Sequence, residues 1–123
     1  MLHAGDPKDF DWDVVVGTSV GAINASIVGA WPKERGVPMS ENIFKHWSNL
    51  RTCDVYEPWK DKETHFSKYN AKNLENYMRR RIKEAFDPEH GYYRRTSVGI
   101  VDLPLMTYKR VDLDKIPRAR VVE

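Results

Sequence analysis

Residues 13–26, DVVVGTSVGAINAS, set a serine between two glycines where a β-branched run ends and an alanine-rich run begins. Three consecutive valines, Val14, Val15 and Val16, show no apolar–polar alternation. Such a run predicts a strand buried on both faces, as in a parallel sheet covered by helices. That strand is expected over residues 10–16. Residues 20–31 are small and apolar until Pro32 stops them, which predicts a buried helix with little polar face. Ala22, Ala25 and Gly29 would let that helix pack closely on its neighbours. A strand delivered straight into a helix is the beginning of an α/β fold.

The junction itself, Gly17-Thr18-Ser19-Val20-Gly21, has the G-x-S-x-G form of a nucleophile elbow. A serine hydroxyl is a weak nucleophile unless a base takes its proton and donors hold the resulting oxyanion. A tight strand-to-helix turn aims the serine oxygen away from the sheet, toward a substrate. Backbone and helix then run so close that Gly17 and Gly21 are expected to leave no room for side chains. The N-terminal N–H groups of the helix, that of Val20 among them, would favour developing negative charge. The alternative is a glycine-rich turn whose serine only caps the helix.

Downstream, residues 33–39 read as a Gly/Pro loop and Ser40 as the cap of a helix striped by Ile43, Phe44, Trp47 and Leu50. Residues 51–68 have no period but carry Tyr56, Pro58, Trp59 and Phe66, an irregular aromatic-bearing connection. Asn70 is placed as the cap of a third helix, with Leu74, Tyr77, Met78, Ile82 and Phe86 on one side. Asp87-Pro88 ends it, and His90-Gly91 marks a turn. Residues 97–103 and 106–113 read as two strands joined around Pro104, a hairpin.

Asp13 to Ser26 resembles the nucleophile segment of the patatin-like phospholipases, in which Thr18 before the serine and the Ala22-Ile23-Asn24-Ala25 helix start are characteristic. The similarity continues more loosely through the helices and strand pair, up to Ile116-Pro117. The resemblance implies a three-layer α/β/α domain that hydrolyses fatty-acyl esters of lipids. It implies a Ser–Asp dyad, with Ser19 forming the acyl-enzyme, Gly17, Thr18, Val20 and Gly21 supporting the motif and oxyanion, and no cofactor or metal. Lipid or acyl-ester substrates and peripheral membrane contact follow as expected partners.

Two parts of that family's pattern do not occur in these residues. Nothing before Asp13 matches a glycine-rich oxyanion loop of the form G-G-G-x-[KR]-G, and no Asp-Gly pair exists to begin a D-G-[GA] motif. Residues 1–123 are therefore expected to be one partial domain, an interior piece with an incomplete dyad, inactive by itself. The Val14–Val16 strand would then lack a neighbour and leave a central sheet edge open. Asp54, Asp102, Asp112 and Asp114 are available carboxylates, each expected to be solvated or turn-capping. Of the histidines, His46 falls in a helix and His3, His65 and His90 in loops. A non-catalytic scaffold, or a Ser–His–Asp esterase using His90, are the alternatives.

Charge and composition exclude little else. A net charge of +2 is too small to argue for nucleic acid, and Arg79-Arg80-Arg81 and Arg94-Arg95 read as solvated faces. The single cysteine, Cys53, excludes an intrachain disulfide framework and fits a reducing, cytoplasmic compartment. One cysteine and four scattered histidines show no metal-ligand spacing. No basic start followed by an apolar run marks a signal peptide. No apolar segment approaches the ~20 residues of a membrane span.

Overall fold

A computed structural model of the chain describes residues 6, 8, 11–61, 64–65 and 67–121. Strand β1 is Val14–Thr18 and leads through Ser19 into helix α1, Val20–Ala30. Helices α2 (Gly36–Asn49) and α3 (Thr52–Val55) follow, then two short strands, β2 (Glu57–Pro58) and β3 (Tyr69–Asn70), which pair antiparallel. Helix α4 (Lys72–Ala85) precedes strands β4 (Arg95–Asp102) and β5 (Thr107–Asp112), and 3-10 turns close the order at Leu113–Lys115 and Arg118–Arg120.

The main sheet runs β1-β4-β5. β1 lies parallel to β4, Val14 opposite Arg95 and Thr18 opposite Gly99, and β4 pairs antiparallel with β5 in the expected hairpin. A parallel pair needs a crossover, and the four helices supply it, so the fold is α/β with a mixed sheet. β1 begins later than expected and runs on through Thr18. Phe10, expected in it, lies outside the described residues, as do Phe66 and His3.

The expectation that β1 is buried on both faces does not hold here. Val14 and Val16 are 56% and 68% exposed, whereas Gly17 on the opposite face is buried. Val14, Val16, Val101 and Tyr108 share an open face on which no described helix packs. β1 is not without a neighbour, because β4 pairs along its full length; its other edge is unpaired among the described residues.

The covered face packs on α1, whose last six residues, Ala25 to Ala30, are all buried. Gly29 makes the contact close: a Cβ there would sit 1.9 Å from Thr96 Oγ1 on β4. Only this C-terminal half of α1 is buried, since Val20 and Gly21 are exposed, which corrects the expectation of a wholly buried helix. On its outer side Trp47 Nε1 donates to Asn24 Oδ1 at 2.8 Å, tying α2 to α1.

α2 starts at Gly36, inside the stretch expected to be a loop, with Pro38 as its third residue. Proline is tolerated there because the first four helical N–H groups have no intrahelical acceptor. Ser40 consequently lies within the helix and donates to the Val37 carbonyl oxygen at 2.8 Å instead of capping. The inward stripe contains Met39, 3% exposed, while Phe44 points outward at 73%. Asn70, expected to cap α4, lies in β3 one residue before the cap position, which Ala71 occupies without a side-chain cap; Asn70 Oδ1 still accepts from the Lys72 N–H at 2.9 Å.

Arg94 is no solvated residue. Its side chain is 1% exposed, pairs with Asp11 at 2.9 Å, and donates to the carbonyl oxygens of Val28 and Trp31. It thereby pins the segment before β1 and the end of α1 to the start of β4. Arg81 is likewise only 21% exposed, paired with Glu84 and lying against the Tyr77 ring, whereas Arg79, Arg80 and Arg95 are exposed.

Candidate functional site

Ser19 is the residue between β1 and α1, and its backbone has φ 56° and ψ −129°. For an L-residue with a Cβ this conformation is sterically costly, while glycine adopts it freely. A strained non-glycine persists only where its surroundings enforce it. Here the enforcing elements are β1, fixed by β4, and α1, fixed by Gly29 on Thr96. The Ala22 N–H donates to the Ser19 carbonyl oxygen at 2.9 Å, closing the turn with backbone alone.

The Ser19 side chain makes no capping hydrogen bond to α1, and it is exposed. Nor does it hydrogen-bond to any other described residue. The serine-as-cap alternative therefore does not describe this turn.

Gly17 and Gly21 differ from each other. A Cβ on Gly17 would lie 2.0 Å from the Gly21 carbonyl oxygen and 2.7 Å from the Ala22 nitrogen. Both are backbone atoms and cannot swing aside. A Cβ on Gly21 meets nothing within 4 Å. The expectation that both positions exclude a side chain is corrected: only Gly17 does so against the described residues.

The first turn of α1 carries no acidic side chain. Its leading N–H groups, with those of Val20 and Gly21 at the front, and the positive end of the helix dipole are left uncompensated by side chains beside the serine. Such an end favours an oxyanion over a neutral carbonyl oxygen.

Thr18, just before the serine, faces the open side of the sheet. Its Oγ1 lies 3.4 Å from the Tyr108 hydroxyl, which reaches it from β5 by crossing β4 over Gly99. A Cβ at Gly99 would be 1.9 Å from that hydroxyl. Tyr108 was not among the sequence candidates. The available signal was a glycine inside a strand, which marks a close approach by another group.

The available carboxylates are all engaged away from Ser19. Asp102 pairs with Lys109, Asp54 accepts from the Arg51 N–H, and Asp114 accepts from the Thr96 N–H. Asp112 accepts from Ser97 Oγ at 2.7 Å and from Lys115 Nζ at 2.8 Å, and these bonds lower its pKa to about 2. With Val14, Arg95 and Arg110 it lines a groove of about 490 Å³ on the open face, toward the end of β1 remote from Ser19.

The histidines are equally distant in role. His90 stacks on Tyr93 with ring centroids 3.6 Å apart, and the Tyr93 N–H donates to the Gly29 carbonyl oxygen. Gly29 is nine residues along α1 from Val20, roughly 14 Å at 1.5 Å per residue. His90 thus belongs to the opposite end of the sheet. His65 stacks on Trp59. His46 lies edge-on to Tyr77, and its pKa is lowered first by burial and then by the Arg81 charge.

Among the described residues no cluster of three or more His, Cys, Asp or Glu side chains is placed to hold a metal ion. No described helix is long and apolar enough to cross a membrane. The family model described as Patatin-like phospholipase matches residues 1–121. No curated protein and no solved structure matches the chain.

Proposed function

The chain belongs to the patatin-like phospholipase family, and from that premise we propose that it carries the nucleophile of a serine lipid acyl hydrolase, Ser19. The family's general character as lipid acyl hydrolases supports the reaction class. The observation that carries the residue assignment is the backbone of Ser19, held at φ 56° with its hydroxyl exposed and unengaged beside the helix N-terminus.

In this reading Ser19 Oγ attacks the ester carbonyl carbon while an aspartate takes the hydroxyl proton. The oxyanion is held by N–H groups at the start of α1 and by a glycine-rich loop. The tetrahedral intermediate collapses, the C–O bond to the alcohol breaks, and the aspartate returns the proton to the leaving oxygen. Water then attacks the acyl-enzyme, giving one proton to the aspartate, which restores it to Ser19 as the fatty acid leaves. The aspartate and the loop are proposed to lie outside the 123 residues, because each candidate carboxylate within them is bonded elsewhere. No cofactor enters this scheme.

Lipid esters are the proposed substrates, reached by peripheral contact with a membrane surface. Cytoplasmic residence is proposed on the free, exposed thiol of Cys53.

The test compares hydrolysis of phospholipid in mixed micelles by the whole reading frame containing these residues and by its Ser19→Ala variant. Loss of hydrolysis with an unchanged circular dichroism spectrum supports the reading; parent-level hydrolysis by the variant overturns it. A second reading, a non-catalytic scaffold that keeps the elbow, is favoured by one observation: no described carboxylate or imidazole bonds to Ser19. It requires that the parent itself hydrolyse no ester.

A further inference from the structure

The β4–β5 hairpin ends in a turn, Leu103-Pro104-Leu105-Met106, whose large side chains are 72%, 62% and 81% exposed at Leu103, Leu105 and Met106. Two hydrogen bonds close the turn. The Met106 N–H donates to the Leu103 carbonyl oxygen at 3.2 Å and the Leu105 N–H to Asp102 Oδ1 at 3.3 Å. Met106 has φ 50°, a left-handed conformation that glycine would take without strain. A methionine stands there instead, with its flexible apolar side chain turned to solvent.

The register sets where this tip lies. Thr18, the last residue of β1, pairs with Gly99, and β4 continues for three more residues to Asp102. At 3.3 Å per residue the tip projects roughly 10 Å beyond the level of the elbow, at the same end of the sheet as Ser19.

Polarity is graded along the β5 arm of the hairpin, while on the β4 arm Asp102 lies directly below the tip, opposite Thr107, and is paired with Lys109. Residues 103–108 carry no charge, and Tyr108, 63% exposed, comes next below the tip. Lys109 and Arg110 follow on opposite faces of β5, both exposed. Asp102 pairs with Lys109, and Asp112 is shared between Arg110 and Lys115; Asp114 and Arg95 line the same groove, so four cations stand against three carboxylates around the base of the hairpin. An apolar end, then an amphipathic aromatic, then long basic side chains is the order of environments met on entering a bilayer from its acyl region outward. The step from tip to cations matches the ~5–10 Å depth at which interfacial elements bury apolar groups.

We propose that the β4–β5 hairpin docks the protein on a phospholipid surface, its Leu103, Leu105 and Met106 side chains entering the acyl boundary and Lys109 and Arg110 meeting headgroup phosphates. This inference rests on the lipid-hydrolase reading for its partner and names the element that makes the contact. A protein occupant fits less well. Three side chains on a turn fall well short of the roughly 800 Å² per partner that a stable protein interface takes. Docked in this way, the hairpin brings the Ser19 end of the sheet to face the lipid from which an ester is drawn.

The experiment is co-sedimentation of the protein with vesicles of equal parts phosphatidylcholine and phosphatidylserine, for the parent, Leu105→Asp/Met106→Asp, Phe44→Asp and Ser19→Ala. Phe44 is an equally exposed apolar side chain on α2 and controls for general stickiness. The parent and the Phe44 and Ser19 variants should pellet alike, and the tip variant should partition about tenfold less or weaker still. A second measurement places an environment-sensitive dye at Met106→Cys in a Cys53→Ser background, where vesicles should shift its emission to the blue. The proposal is overturned if the parent stays in the supernatant, if the tip and Phe44 variants lose binding equally, if the dye does not shift, or if the tip variant abolishes self-association instead of vesicle binding. Hydrolysis lost in Ser19→Ala with unchanged binding by the tip variant would leave the hydrolase reading standing and sink this one. Hydrolysis retained in Ser19→Ala with binding lost by the tip variant would do the reverse.

Discussion

A Cβ placed on Gly17 would stand 2.0 Å from the carbonyl oxygen of Gly21, whereas a Cβ on Gly21 would touch nothing within 4 Å. The two glycines of the elbow therefore do different things. Gly17 lets β1 pass against the first turn of α1, and Gly21 borders open space. Gly17→Ala should destabilise the chain by about 3 kcal/mol, because backbone atoms must shift to admit the methyl group. Gly21→Ala should be neutral or stabilising by up to ~1 kcal/mol, since alanine is the better helix former. Chemical denaturation of the two variants checks the asymmetry, and equal losses at both positions would contradict it.

The strain at Ser19 gives a second prediction. At φ 56° and ψ −129° glycine is unstrained and alanine is not. Ser19→Gly should exceed Ser19→Ala in stability by about 1–3 kcal/mol. Equal unfolding midpoints would mean that the turn is relaxed in solution.

Arg94 and Asp11 hold the sheet to the chain before β1. Removing one partner of a buried pair leaves the other charge uncompensated, at a cost of about 3–5 kcal/mol. Asp11→Ala also removes the acceptor for the Glu34 N–H, bonded to both carboxylate oxygens at 3.2 Å. Its unfolding midpoint should fall accordingly, while exposed Arg95→Ala should change little.

How far the sequence foretold these features depends on what kind of signal each leaves. The elbow, α1 and the β4–β5 hairpin were legible because they rest on local chemistry: glycines at fixed offsets, a β-branched run, a proline stop. The direction of Phe44 was not, because helical spacing fits a stripe through Met39 and Ile43 as well as one through Phe44. The start of α2 was missed because Gly36 and Pro38 punctuate loops and first helical turns alike. Arg94 read as solvated because its anchors, Asp11, Val28 and Trp31, are more than sixty residues away. Tyr108 met Thr18 across ninety residues, and only the strand glycine Gly99 hinted at the crossing.

Asp112 sets a pH dependence. Hydrogen bonds from Lys115 and Ser97 lower its folded pKa to about 2 from an ordinary value of 3.8. The unfolded state therefore binds more protons between these values, and stability rises with pH across them. The contribution is complete above about pH 4 and is lost as pH falls toward 2. Unfolding midpoints of the parent should drop between about pH 4 and pH 2, and Asp112→Asn should flatten part of that drop.

The central claim, that Ser19 is an activated nucleophile, is tested most directly by covalent labelling. A fluorophosphonate probe should be incubated with the whole reading frame containing these residues, and the adduct mapped by mass spectrometry. The account predicts a phosphonylated Ser19, no adduct in Ser19→Ala, and undiminished labelling in His46→Ala, His65→Ala and His90→Ala. An unmodified Ser19 in folded protein that still hydrolyses lipid esters, or an adduct on another residue, would contradict it.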